Sequence, residues 1–422
     1  MAGTVKAEII TIGDEILYGQ ILDTNSKWIS EIMDQSGIRI TRKTTVGDNE
    51  TDILASFERA EEQVDIVLIT GGLGPTKDDL TKPLLARYFD CPIEMNEEAL
   101  KQVTSFFQAK GRELTELNRQ QAALPVCCDA IENKLGTAPG MWFERKNTVF
   151  VSMPGVPHEM KKMMTDYVIP RLHQRFQMPV IMHKLIKTIG IGESWLADLI
   201  SEWENELPDH IRLAYLPSLG QVKLRLTAFG EDRDSLAAEI QKHIDRLMPL
   251  AGKYIYGYDS DEIQQTIGKM LCDNCLTLAT AESCTGGYLS HLITSVPGCS
   301  RYYVGSVIAY ENTIKEALLG VSHQTLSNHG AVSEETALEM ARGIRERTGA
   351  NIGVATTGIA GPDGGSPEKP VGTVWIAYDD GHEAYAKKLQ LWKDREINIK
   401  ASAVAVLNMI RIRLNKTIEV TE

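Results

Sequence analysis

Residues 281–287 read Ala-Glu-Ser-Cys-Thr-Gly-Gly, and residues 357–365 read Thr-Gly-Ile-Ala-Gly-Pro-Asp-Gly-Gly. A hydroxyl at the end of one apolar run, with a glycine-rich turn after another, is what acyl or phosphate chemistry asks of a backbone: a nucleophile, and amides able to approach negative charge. Leu276 to Ala281 reads as a strand and Thr285 to Ser295 has helical apolar spacing, which puts Ser283 at their junction. There it lies beside the unpaired amides of a helix start, donors for an attacked carbonyl. The same position suits a plain helix cap, and the serine alone does not separate the two.

Tyr303 to Tyr310 is a further apolar strand, and Glu311-Asn-Thr-Ile-Lys315 opens a helix with Lys315 in its first turn. The positive end of the helix dipole lowers an ammonium pKa, and a neutral lysine can take a serine's proton. Ser283 and Lys315, with Tyr310 beside them, are therefore a candidate nucleophile and base. Asn351 to Thr356 is a buried-type strand that delivers Thr357, Gly358 and Gly361 at its carboxyl end. That loop reads as a phosphate nest, an oxyanion hole or a surface turn.

A second constellation lies near the amino terminus. Gly71-Gly-Leu-Gly-Pro-Thr-Lys-Asp-Asp79 follows the unbroken apolar strand Ile66 to Ile69. The amides of Gly71, Gly72, Gly74 and Thr76 could hold a phosphate while Asp78 and Asp79, with Asp14 from Gly13-Asp14-Glu15, hold a magnesium-type cation. A glycine turn followed by acidic capping residues reads the same way. His158-Glu159 begins like a zinc-protease motif, but Lys162 stands where the second histidine belongs.

The elements that carry these motifs alternate. Lys6–Ile12, Ile38–Val46 and Ile66–Ile69 read as strands; a helix capped by Thr24-Asn25 and another over Asn49–Gln63 lie between them, as in a doubly wound α/β sheet with ligands at the strands' carboxyl ends. From Lys184 to Tyr254 the pattern becomes helix (194–204), strand (211–216), alternating strand (221–229) and helix (235–247), a small α+β module. Its Gly190-Ile-Gly192-Glu193 only loosely matches a GXXG nucleotide clamp, because Glu193 would repel a phosphate backbone; a spacer or dimerisation role is expected. Tyr254–Glu262 reads as a linker.

With 422 residues the chain exceeds what one core serves. Its 44 basic against 57 acidic residues give a net charge of −13, which disfavours direct binding of nucleic acid or an anionic membrane. No apolar run of about 20 residues and no leader pattern stand out, so a cytoplasmic protein is expected. Seven cysteines, an odd number, argue for free thiols; Cys272-Asp-Asn-Cys275 lacks the second pair that a zinc site needs.

Several long motifs in order resemble a known family. The Gly71–Asp79 loop and Pro154-Gly-Val-Pro-His-Glu-Met160 are similar to the molybdopterin-binding, MoCF-type domain. Ala281–Gly287, Gly330-Ala-Val-Ser-Glu334, Thr357–Gly365 and Lys369-Pro-Val-Gly-Thr-Val-Trp375 resemble the C-terminal domain of the CinA (competence/damage-inducible) family. The resemblance covers essentially the whole chain. It implies a three-layer α/β MoCF-type domain over 1–176, a KH-like α+β module over 184–254 and an α/β CinA domain over 260–420.

The resemblance implies an amidase that converts nicotinamide mononucleotide (NMN) and water to nicotinate mononucleotide and ammonia in pyridine-nucleotide salvage, with Ser283 as nucleophile aided by Tyr310 and Lys315. Ser300, Thr357 and Arg395 match substrate-contacting positions, Arg395 with a guanidinium fork suited to phosphate. The front half is associated with a cation-dependent pyrophosphatase acting on ADP-ribose; the amidase half needs no cofactor. A homodimer is expected. A pterin-binding module, or an adaptor for competence or DNA-damage proteins acting through a protein partner, is the alternative.

Overall fold

The computed structural model describes residues 5–76 and 79–421, with side chains described as far as residue 415. The chain divides into two compact units, residues 1–182 with 229–237, and residues 183–228 with 238–422.

The first unit contains β1 (Lys6–Ile12), β2 (Arg39–Val46), β3 (Ile66–Thr70), β4 (Ile93–Met95), β5 (Ala123–Pro125), β6 (Asp129–Ile131), β7 (Gly140–Arg145) and β8 (Thr148–Met153). Six of these form one sheet in the order β2-β1-β3-β8-β7-β6, parallel from β2 to β8 and antiparallel beyond. Every residue of β3 is buried, because crossover helices cover both faces. Ile9 and Leu68 point into one apolar layer with Met33 and Trp142; Ile10 and Ile69 point into the other with Phe57 and Phe150. The helix Glu50–Gln63 starts where Asn49 accepts from the amides of Thr51 and Asp52. The helix Thr24–Gln35 is capped by Asp23, one residue before the expected Thr24-Asn25, since Asp23 accepts from Ser26 N.

One cysteine expectation fails: Cys91 and Cys127 form a disulfide. β4 and β5 pair antiparallel, Ile93 opposite Pro125, and this brings the two Cα atoms to 6.1 Å across 36 residues of sequence. No local pattern announces such a pairing.

The second unit begins with β9 (Val180–Ile189), β10 (Ile211–Ser218), β11 (Gln221–Gly230) and β12 (Ile255–Tyr258), a four-stranded sheet in the order β10-β11-β9-β12. The expected linker 254–262 is thus partly a strand. Four residues are too few to show a period, and β12 exists because it pairs with β9, where buried Lys187 donates to the Asp261 carbonyl and Glu262. The rest is a five-stranded sheet of β13 (Leu278–Glu282), β14 (Tyr303–Ile308), β15 (Ile352–Gly358), β16 (Thr373–Asp379) and β17 (Ala384–Gln390), in the order β14-β13-β15-β16-β17. β14, β13 and β15 run parallel; β16 and β17 are antiparallel.

Helix Glu334–Thr348 covers one face, helices Ile263–Asp273 and Arg395–Thr421 the other. Ala279, Ala281 and Ala355 keep the first face shallow, and a side chain on Gly353 would meet the Ala341 carbonyl at 2.1 Å. The small residues let that helix lie close to the strands that end at Ser283 and Thr357. Among the described residues no helix is long and apolar enough to cross a membrane.

Candidate active site

β13 ends at Glu282, and Ser283 occupies the bend that follows. The next helix begins only at Tyr288, three residues later than the apolar spacing predicts, with Gly287 in a left-handed conformation at its cap and no side-chain cap bond. The carboxylate of fully buried Glu282 takes over that role. It accepts from the amides of Gly287 (3.0 Å), Leu289 (3.1 Å) and Ser290 (2.8 Å), and from the hydroxyls of Thr285 (2.7 Å) and Ser290. Two readings of Ser283 are corrected by this. The serine is not the helix cap, and the helix-start amides expected to face an oxyanion already face a carboxylate.

Ser283 is 8% exposed, its amide bonded to the Thr356 carbonyl of β15 at 2.9 Å. Lys315, fourth residue of the helix Asn312–Leu319, is buried, and its Nζ lies 3.2 Å from Ser283 Oγ. The same Nζ is 2.8 Å from the Ala309 carbonyl and 3.0 Å from that of Tyr310. Burial lowers the Lys315 pKa below the ordinary lysine range, against opposing pulls from Cys284 and Glu311. Desolvation rather than the helix dipole is thus the leading cause. In the neutral amine two N–H groups serve the two carbonyls, and the remaining lone pair faces the serine hydroxyl. This arrangement can activate an oxygen nucleophile.

Tyr310 contributes to Lys315 through its carbonyl. Its hydroxyl, on a largely exposed ring, accepts from Arg395 Nη2 at 3.0 Å, while Arg395 Nη1 donates to the Gly361 carbonyl at 2.9 Å. Arg395 therefore ties the end of β14 to the Gly361 turn. Thr357 is buried with its hydroxyl donated to Ala331 O at 2.6 Å, and Gly358 is the last residue of β15, opposite Val374. A run of contacts joins Ser283, Lys315, Tyr310, Arg395 and Gly361 at the carboxyl ends of β13 to β15.

Ser300 is not among them. It is exposed in the turn Cys299–Arg301 before β14 begins. Leu278 pairs with Tyr303 and Glu282 with Ile308, so Ser300 sits at the amino end of the sheet, about 16 Å of strand away from Ser283. Cys284, the neighbouring thiol, is buried and its pKa is pushed up to about 12 by that burial. It is a poor nucleophile. The residue that sequence reasoning overlooked is Glu282; the one available signal was a charged residue closing an otherwise apolar strand.

In the first unit the carboxyl ends of β1 and β3 open into a cleft of about 500 Å³. Gly71, Gly72, Gly74 and Asp79 line it; Thr76 and Asp14 do not. Gly71 (φ +103°) has its amide on Met153 O at 3.1 Å, and a Cβ there would stand 2.1 Å from the Ile12 carbonyl. Asp79 accepts from Gly74 N (2.8 Å), Thr76 N (2.9 Å) and Thr76 Oγ1 (2.6 Å), so the amides of Gly71, Gly74 and Thr76 are bonded within the protein and not turned to a phosphate. Asp14 exchanges bonds with Asp48 and accepts from Tyr18. Asp78 lies outside the described residues.

Among the described residues no three acidic, histidine or cysteine side chains come together as metal ligands. Of the three expected cation ligands, Asp79 accepts from its own loop and Asp14 from Asp48 N and the Tyr18 hydroxyl, and Asp78 is not described. Behind the glycine loop, Lys82 donates to Gln121 O at 3.0 Å, and burial lowers its ammonium to about 8.

Comparison with known proteins follows the same division. Residues 8–174 match the model of a probable molybdopterin binding domain, 183–257 that of the damage-inducible protein CinA KH domain, and 260–414 that of the CinA C-terminal domain. A CinA-like protein of Cytophaga hutchinsonii is 51% identical over 98% of this chain and 99% of its own length. A putative competence-damage inducible protein of Caldanaerobacter subterraneus is 40% identical over 96% of this chain and 98% of its own. The crystal structure of competence/damage inducible protein CihA from Agrobacterium tumefaciens is 37% identical, covers 36% of this chain and 93% of that one, and superposes with a TM-score of 0.35. The mixed α/β architecture is a MoCF-like domain, a KH module and a CinA C-terminal domain in order, and the chain belongs to the CinA family.

Proposed function

We propose that the second unit hydrolyses the carboxamide of NMN to nicotinate mononucleotide and ammonia, with Ser283 as nucleophile and Lys315 as base. The observation that carries this is the buried Lys315 Nζ, 3.2 Å from Ser283 Oγ and held by two carbonyls. Ser283 Oγ bonds to the carboxamide carbon as its proton passes to neutral Lys315. The tetrahedral species collapses by breaking the C–N bond, Lys315 returning the proton to the departing nitrogen, and ammonia leaves. Water then attacks the ester carbon, giving its proton to Lys315, which restores it to Ser283 as nicotinate mononucleotide departs. The oxyanion is assigned to the backbone of the Thr357–Gly361 loop, because Glu282 holds the helix-start amides. Arg395, with its fork at the loop, is assigned to the substrate phosphate.

Ser283→Ala tests the reading directly: ammonia release from NMN should fall by at least about a thousand-fold with the melting temperature unchanged. Retained turnover would remove Ser283 from the mechanism.

The volume of the first unit's cleft favours a second reading, in which it takes an ADP-ribose-sized ligand for pyrophosphate cleavage. No cation step is assigned, since Asp78, one of the three expected ligands, lies outside the described residues. ADP-ribose turnover measured with magnesium and with EDTA tests that activity; no turnover in either condition would leave a binding site only.

A further inference from the structure

The last helix, Arg395–Thr421, is apolar on two sides. Val406, Leu407 and Ile410 are buried in the core of the second unit. On another side Ala401, Val404, Ala405 and Ile412 line a cavity of about 320 Å³. Tyr385, Lys387 and Leu389 of β17 form its opposite wall, and Gly190 with Leu219-Gly220 of the α+β module closes it. Tyr385, Trp392 and Ile412 stay exposed there, large side chains that the fold leaves uncovered. A helix that is apolar all round calls for something to cover each side.

The cavity is graded along its length. Tyr385 and Arg413 mark one end, the guanidinium carbon 4.1 Å from the ring centre. Trp392 marks the other, its amide donating to Asn398 Oδ1 at 3.0 Å in the helix's first turn. From Ala401 to Arg413 the helix runs about 18 Å at its usual rise. Both cations of the lining, Lys387 and Arg413, lie toward the Tyr385 end, while Leu391, Trp392 and Ala401 make the other end apolar. No acidic side chain lines the cavity among the described residues.

Arg413 is already paired with Glu383. Lys387 has no ion-pair partner among the described residues. It stands opposite Ile376 on β16, with Tyr385 and Leu389 on the same face of its own strand, so its ammonium is the charge that an occupant would meet. A lysine stem lying over apolar surface would account for Lys387 by itself. It does not account for the uncovered apolar end beyond it.

We propose that this cavity binds a single-chain fatty carboxylate, its alkyl chain running along Ala401, Val404 and Ala405 toward Trp392 and its carboxylate at Lys387. A long, narrow space with charge at one end suits one flexible chain with one anionic head. Burial of the methylenes supplies the affinity, and the ion pair sets the orientation. The inference is independent of the reactions assigned to either unit.

The test is calorimetric titration of the full chain, below the micelle threshold, with dodecanoate, hexanoate and dodecyltrimethylammonium. Dodecanoate should bind once per chain and at least about ten-fold tighter than either of the others, because hexanoate leaves the apolar end unfilled and the quaternary ammonium meets Lys387. Lys387→Glu should bring dodecanoate and dodecyltrimethylammonium to within about three-fold of each other, and Ala405→Trp, which fills the cavity, should weaken dodecanoate at least about ten-fold. If Ala405→Trp fails to fold, Lys387→Glu and the wild-type comparison still decide. Equal binding of the two long-chain amphiphiles to the wild type overturns the carboxylate assignment; dodecanoate binding untouched by both substitutions overturns the location. No dodecanoate binding overturns the proposal, and if it comes with a wild-type dimer that Ala405→Trp splits in sedimentation, the face belongs to a second copy of the chain.

Discussion

Two glycine loops at strand ends, one in each unit, are held by a neighbouring carboxylate, and the difference between them separates a buried serine–lysine pair from a shaped cleft. In the second unit Glu282, fully buried at the end of β13, gathers three helix amides and two hydroxyls. In the first, half-buried Asp79 gathers two loop amides and one hydroxyl. Glu282 precedes the loop, so the residue after it, Ser283, is left in the bend facing Lys315. Asp79 follows its loop and folds the glycines back on themselves. A carboxylate beside a glycine turn is therefore a scaffold part in both places, and the chemistry depends on what the turn presents next.

The comparison breaks most visibly at Lys315. Replacing it with Met should lower ammonia release from NMN by about 10²- to 10⁴-fold, and Arg should not rescue, since a guanidinium remains protonated. The wild-type rate should rise with pH and level off at a pKa below the ordinary lysine range, because the folded-state pKa is lowered by burial and only the neutral amine accepts a proton. The same shift means that folding with a charged Lys315 is disfavoured; this penalty grows as pH falls from the ordinary lysine pKa to the lowered folded-state pKa, stays constant below that, and is relieved only above the ordinary value. A rate that declines steadily from neutral to alkaline pH would sink the base assignment.

Arg395→Ala should raise KM for NMN by about ten- to a hundred-fold and leave hydrolysis of nicotinamide riboside nearly unchanged, as the riboside has no phosphate. Equal losses on both substrates would instead assign Arg395 to holding Tyr310 and Gly361 in place. The carboxylates come next. Glu282→Gln should destabilise the second unit by about 1–3 kcal/mol, read as a shifted denaturant midpoint, since one buried and two half-buried amides lose their anion.

Asp79→Asn should cost about 0.5–1 kcal/mol, being half-exposed with two amides, and should not change ammonia release. If the Asp79 substitution costs as much as the one at Glu282, the two loops are equivalent scaffolds and the distinction drawn between them is wrong.

Much of the arrangement was legible before any fold was known. The unbroken run Ile66-Val-Leu-Ile69 reads as a central strand because both of its faces are apolar, and Ser283 reads as a strand-end residue because an apolar run stops just before it. The pairing of Ser283 with Lys315 follows from two parallel strands ending at the same edge. Other features were not legible for a common reason. Asp79 and Asp14 look like ligand-facing acids in sequence and Glu282 carries no such mark, yet which amides a carboxylate meets depends on the path of the loop around it. Ser300 matches a substrate-contacting position in sequence, and the direction of β14 places it at the other end of the sheet from Ser283. Cys91 and Cys127 meet only because β4 and β5 pair.

What the chain determined by itself was local: which segments are strand or helix, where glycine must turn, and which strand ends carry reactive side chains. Those properties follow from side-chain period and backbone sterics within a few residues. What only the tertiary structure decided was the state of the reactive groups. Lys315 is a surface-type residue in a helix's first turn until packing buries it against Ser283 and two carbonyls, and a lysine's proton affinity is set by the solvent it loses and the dipoles it gains, which come from residues distant along the chain.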